Sequence, residues 1–143
     1  MNKPVLFLRI AAGLTLIHAV LHTIGGVFGK TEPGPAAVAV EAMKANTFQL
    51  MGNTRSYWDF YFGLGWGVTI FLTAESVLMW QMAALAKTEA RRLRPMMATL
   101  LAAYAVFSVN SFEYFFVGPV IAELLIAACL GVAIVTAREQ KAI

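Results

Sequence analysis

Hydrophobic positions in this chain gather into four long blocks. The first, Val5 to Gly29, reads VLFLRIAAGLTLIHAVLHTIGGVFG and is 25 residues long. A helix crosses a hydrocarbon core of about 30 Å in roughly 20 residues, so this block is long enough to span one. Similar blocks occupy residues 57–83, 96–116 and 120–137. The predicted fold is therefore all-α, an integral membrane four-helix bundle, with residues 1–143 forming a single transmembrane domain.

The connections are short except for residues 30–56. There Pro33, Gly34 and Pro35 stop the first span, and Pro35 suits the first turn of a new helix. From Pro35 to Met51, apolar Val38, Met43, Phe48, Leu50 and Met51 alternate with polar Glu41, Lys44, Asn46 and Gln49. The pattern predicts a short amphipathic segment lying on the membrane surface or capping the bundle, ended by a Gly52–Asn53 turn. Leu85 to Pro95 reads as a basic connection, and Gly118–Pro119 as a tight turn between the last two spans.

Composition agrees with the block pattern. Only 13% of residues are charged, against about 25% in soluble domains, and mean hydropathy is +0.70. The net charge of +3 raises the question of nucleic acid, but the basic residues sit at the ends of apolar blocks rather than in a stripe interleaved with aromatics. No nucleic-acid partner is expected. With the N-terminus in the cytoplasm, Lys3, Arg9, Lys87, Arg91, Arg92, Arg94, Arg138 and Lys141 fall inside, and Lys30, Lys44 and Arg55 outside. Eight against three predicts both termini in the cytoplasm, in a bacterial cytoplasmic membrane. The first block is longer than a signal-peptide core, carries Arg9, and is followed by KTEPGP without a cleavage pattern, so it is expected to stay as a span. The lone Cys129 reads as a small packing residue.

The polar residues inside the spans carry the candidate chemistry. Arg9 lies roughly 7 Å from the cytoplasmic end of the first span, and Glu75 roughly 10 Å from that of the second. Matching depth and opposite charge predict a structural ion pair. Toward the outer leaflet the spans contribute His18 and His22, one turn apart on one helix face, then Asp59, Asn110, Glu113, Tyr114 and Glu123. Tyr57, Trp58, Tyr61, Trp66 and Phe115 supply aromatic surface at the same level. Four chemistries fit such a cluster: mutual satisfaction near the interface, a ligand pocket, acid–base work by Glu113 or Glu123 with His22, and a metal site. H-x3-H without an accompanying E-x-x-H is a weak metal signature, and no metal is expected. No cofactor is assigned.

Helix-packing signals are present too. Gly63 and Gly67 form a GxxxG pair that would let a second copy approach closely. The first span, with Arg9, Gly13, His18 and Gly25, resembles the opening helix of DoxX-like proteins, small four-helix bacterial membrane proteins linked to quinol oxidation and thiol redox balance. That resemblance covers about one fifth of the chain, and a single cysteine offers no dithiol. A further analogy is to the emopamil-binding, sterol-isomerase-like four-helix family, through intramembrane His and Glu with aromatics.

The favoured expectation is a membrane protein that binds a lipid-like or other hydrophobic small molecule in an outer-leaflet pocket. His18, His22, Asp59, Tyr61, Trp66, Asn110, Glu113, Tyr114 and Glu123 would line it. The alternatives are an intramembrane acid–base enzyme on a hydrophobic substrate and an accessory subunit of a membrane complex. The topology is directly testable: in intact cells, a membrane-impermeant maleimide should label Lys30→Cys and spare Lys87→Cys, and the reverse pattern would invert the orientation.

Overall fold

The computed structural model describes residues 2–137. Helix α1 (Lys3–His22) opens into a π-helical turn (Thr23–Val27), followed by α2 (Pro35–Ala45) and an antiparallel hairpin, β1 (Thr47–Leu50) with β2 (Asn53–Ser56). Three long helices complete the chain: α3 (Tyr57–Glu89), α4 (Arg94–Tyr114) and α5 (Val117–Thr136). Four helical segments, Lys3–Val27, Tyr57–Glu89, Arg94–Tyr114 and Val117–Thr136, are long and apolar enough to cross a membrane, which fits an integral membrane protein. Arg138 and Lys141 of the cytoplasmic charge set lie outside the described residues.

Several boundaries differ from expectation. Helix α3 continues through Leu85–Glu89, so the basic connection shrinks to four residues. Nothing in Leu85–Glu89 breaks a helix, and Ala86 is buried. The turn before α5 falls at Phe115–Phe116 rather than at Gly118–Pro119. Pro119 sits in the first turn of α5, where its missing N–H takes no helical bond away. The expected helix to Met51 stops at Ala45. Asn46 bonds back to the Ala42 carbonyl through both its backbone N–H and its side chain (3.0 and 2.7 Å). Beyond it, Thr47 pairs with Ser56 and Leu50 with Asn53 across a two-residue turn. That turn is Met51–Gly52, with φ of 48° and 79°. Positive φ at both central residues is the signature of a type I′ hairpin turn, whose twist matches the strands.

The described residues form two compact units: residues 2–18 with 72–137, and Ala19–Phe71. In the first, one stripe of α1 (Val5, Leu8, Ala11, Ala12) meets Met79, Met82, Ala83 and Ala86 of α3, Met97 and Tyr104 of α4, and Ile126, Leu130 and Ala133 of α5. Small residues bring the backbones close enough for the Ser76 hydroxyl to donate to the Ala12 carbonyl (2.8 Å).

In the Ala19–Phe71 unit, Gly65 lies against Val27, while Gly63 and Gly67 meet nothing within 4 Å. A Cβ on Gly65 would stand 3.4 Å from the Val27 side chain. The His22 Nε2–H donates to the Gly65 carbonyl (3.0 Å), and the Thr23 and Thr69 hydroxyls share a hydrogen bond (3.0 Å).

Met51, 94% exposed, holds a backbone conformation that Asn or Gly adopts more readily. Met51→Asn should therefore keep or raise the melting temperature of the detergent-solubilised protein, whereas Gly52→Ala should cost about 1 kcal/mol. Equal loss in both variants would refute the turn assignment.

Candidate functional site

Burial of polar side chains in the first unit produces two hydrogen-bonded sets in one interior. Tyr104 is buried in the middle of α4, and its hydroxyl donates to Glu75 Oε2 of α3 (2.7 Å). Its oxygen is then free to accept from the Thr15 hydroxyl of α1, 3.3 Å away. Glu123 of α5 is wholly buried and accepts from the Ser111 hydroxyl of α4 through Oε1 (2.8 Å). Its other oxygen, Oε2, is buried without a hydrogen-bonding partner among the described residues. Both carboxyls act electrostatically on the Tyr104 hydroxyl. Four helices thus place two acids, a phenol and two aliphatic hydroxyls in one apolar interior, an arrangement suited to holding or moving protons.

The expected Arg9–Glu75 ion pair does not form. Arg9 follows Leu8 by one position, about 100° further round α1, and is exposed outside the buried stripe. Its guanidinium lies over the Trp80 ring, 5.3 Å from the centroid, a cation–π contact. Glu75 falls on the buried side of α3 beside Ser76 and turns to Tyr104. Depth along the two helices matched, but direction around them did not.

The other predicted site residues divide between the units. In the first unit His18 and Glu123 are buried, while Asn110, Glu113 and Tyr114 are exposed. Glu113 stands two positions from the buried Ser111, about 200° around α4, so it points away from Glu123's partner. Of the two carboxyls expected as alternatives for acid–base work, Glu123 is buried and Glu113 is exposed.

In the second unit, Asp59 serves the start of α3. Its carboxylate accepts from the Ser56 backbone N–H and hydroxyl (2.7 and 2.9 Å), and its own N–H donates to Ser56 Oγ (3.1 Å). This is a capping box, readable as S-x-x-D in the sequence but not recognised there.

Tyr61 and Trp66 belong to a chain of ring contacts in the second unit. Phe28 meets Trp66 at 5.5 Å and Phe62 at 6.5 Å, both edge-on, and Phe62 meets Trp66 at 6.4 Å. Trp58 continues the chain to Phe62 (6.3 Å) and Tyr61 (5.4 Å). His22 packs on the adjoining π turn, where a Cβ on Gly26 would come within 3.2 Å of its imidazole. The π turn widens the helix next to His22, a distortion that recurs at functional sites.

Sequence reasoning missed Thr15, Tyr104 and Ser111. Thr15 continues the i, i+3, i+4 stripe that runs through Leu8, Ala11 and Ala12, which was a legible signal. Tyr104 stands in mid-span rather than at an interface, where a phenol needs a buried partner. Among the described residues no group of three or more His, Cys, Asp or Glu side chains gathers to hold a metal ion. Comparison with protein-family models, curated proteins and solved structures finds no match to this chain.

Tyr104→Phe removes the donor to Glu75 and strands that carboxyl, so it should lower stability by about 1–3 kcal/mol. Glu113→Gln, on an exposed face, should change it by less than about 0.5 kcal/mol. Thermal melts in one detergent compare the two, and the opposite order would remove the Tyr104–Glu75 hydrogen bond from the stability argument.

Proposed function

We propose that the protein is a four-helix integral membrane protein of a bacterial cytoplasmic membrane, with its N-terminus inside, that binds a lipid-like hydrophobic molecule. The binding surface is the aromatic face of the Ala19–Phe71 unit, in the leaflet away from the cytoplasm. The observation that carries this reading is the ring chain Phe28–Trp66–Phe62–Trp58–Tyr61, whose members are half-buried or exposed rather than sealed in a core. Rings already packed edge to edge offer a large apolar surface that loses little further freedom when a ligand lies on it.

His22 supplies the polar group that such a site needs. With Nε2–H committed to the Gly65 carbonyl, the neutral ring keeps Nδ1 as an acceptor. Asp59 drops out of the proposed lining, because its Oδ2 is held by both Ser56 donors in the cap of α3.

Native mass spectrometry of the protein released gently from detergent tests the reading. The wild type should retain a discrete lipid-sized mass. The double variant Phe62→Ala, Trp66→Ala should lose at least about tenfold in occupancy while keeping its helical circular dichroism. A bare wild-type polypeptide would overturn the proposal.

A further inference from the structure

The carboxyl of Glu123 is a separate matter from the aromatic face. It is 0% exposed, on a helix apolar enough to cross a membrane. Ser111 occupies Oε1 with a neutral hydroxyl, and Oε2 has no hydrogen-bonding partner among the described residues. Among the described residues neither oxygen is hydrogen-bonded to a basic side chain; the lysine and arginine of α1, Lys3 and Arg9, are both exposed, and Arg9 lies over Trp80. An isolated carboxylate in an apolar interior costs so much that it acquires either a cation or a proton.

The site chooses between those two. Among the described residues no group of three or more His, Cys, Asp or Glu gathers to hold a metal ion, and full burial closes the bare oxygen to a hydrated cation arriving from water. A proton needs no additional room. The titratable groups of this interior are Glu75 on α3, Tyr104 on α4, His18 on α1, and half-buried Cys129 further along α5. The Tyr104 hydroxyl directs its hydrogen bond to Glu75 rather than to Glu123.

We infer that Glu123 is an intramembrane proton-binding site, a carboxyl that takes up and releases a proton inside the helix core. The proton resides on Oε2, while Oε1 keeps the Ser111 hydrogen bond in both states.

The test uses the full chain in lipid vesicles and the apolar reagent dicyclohexylcarbodiimide. A protonated carboxyl adds across one C=N bond of the reagent: its oxygen bonds to the central carbon and its proton passes to nitrogen. The resulting O-acylisourea rearranges to a stable N-acylurea. Nothing leaves, so the peptide gains the mass of the whole reagent. Peptide mapping of the wild type between pH about 5 and about 9 should find the adduct on Glu123, falling about tenfold per pH unit once the site has ionised. A water-soluble carbodiimide should spare Glu123 under the same conditions. Glu123→Gln should abolish the adduct, and the wild-type map decides the matter if that variant fails to fold. An adduct on Glu75 or Glu113 with Glu123 unmodified, or labelling of Glu123 that stays flat with pH, would overturn the inference.

Discussion

The Tyr104 hydroxyl, held between the Thr15 hydroxyl and the Glu75 carboxyl, is the contact on which the interior of the first unit depends. In water each of these groups would be solvated at no cost to the fold. In an apolar interior an unsatisfied polar group costs a kilocalorie per mole or more, and a lone carboxylate far more. Three helices must therefore keep the rotation that aims these three side chains at one point. The apolar stripe of Leu8, Met79, Met97, Ile126 and Leu130 could pack in several rotations, since lipid tails are as apolar as the side chains themselves. Hydrogen bonds remove that freedom.

Glu123 and Ser111 link α5 to α4 by the same logic, but the satisfaction is incomplete. One oxygen is provided for and the other is not. Asp59 at the start of α3 differs: both Ser56 donors meet its Oδ2, and the residue is exposed rather than buried. The contrast between these two acids separates a residue whose chemistry is consumed by the fold from one whose chemistry is kept in reserve.

The Ala19–Phe71 unit is organised by ring contacts and by one small residue. Gly65 presents its carbonyl to His22 and packs against Val27, where an added Cβ would stand in van der Waals contact. The π turn after His22 lets the chain leave the regular helix where Phe28 can meet Phe62 and Trp66. Aromatic surface, a fixed imidazole and a widened turn thus lie within one unit.

The four apolar segments were legible in the sequence alone, because length and apolarity accumulate along the chain and do not depend on what packs where. Pro35, the stop before it and the aromatic opening of α3 were legible for similar local reasons. The hairpin was not, since Phe48, Leu50 and Met51 fit one face of a helix as well as a strand, and pairing with residues 53–56 decided between them. The polar site was half legible: Glu75 and Glu123 stood out as costly residues, yet their partners were named wrongly or not at all. Position along a helix gives depth, but the direction a side chain takes around it is set by which neighbouring helix supplies a hydrogen bond. That is why the sequence determined how many apolar helices this protein has and which acids lie within them. Only the tertiary structure decided that Arg9 turns to Trp80, Glu75 to Tyr104, and Glu123 to Ser111 with one oxygen left over.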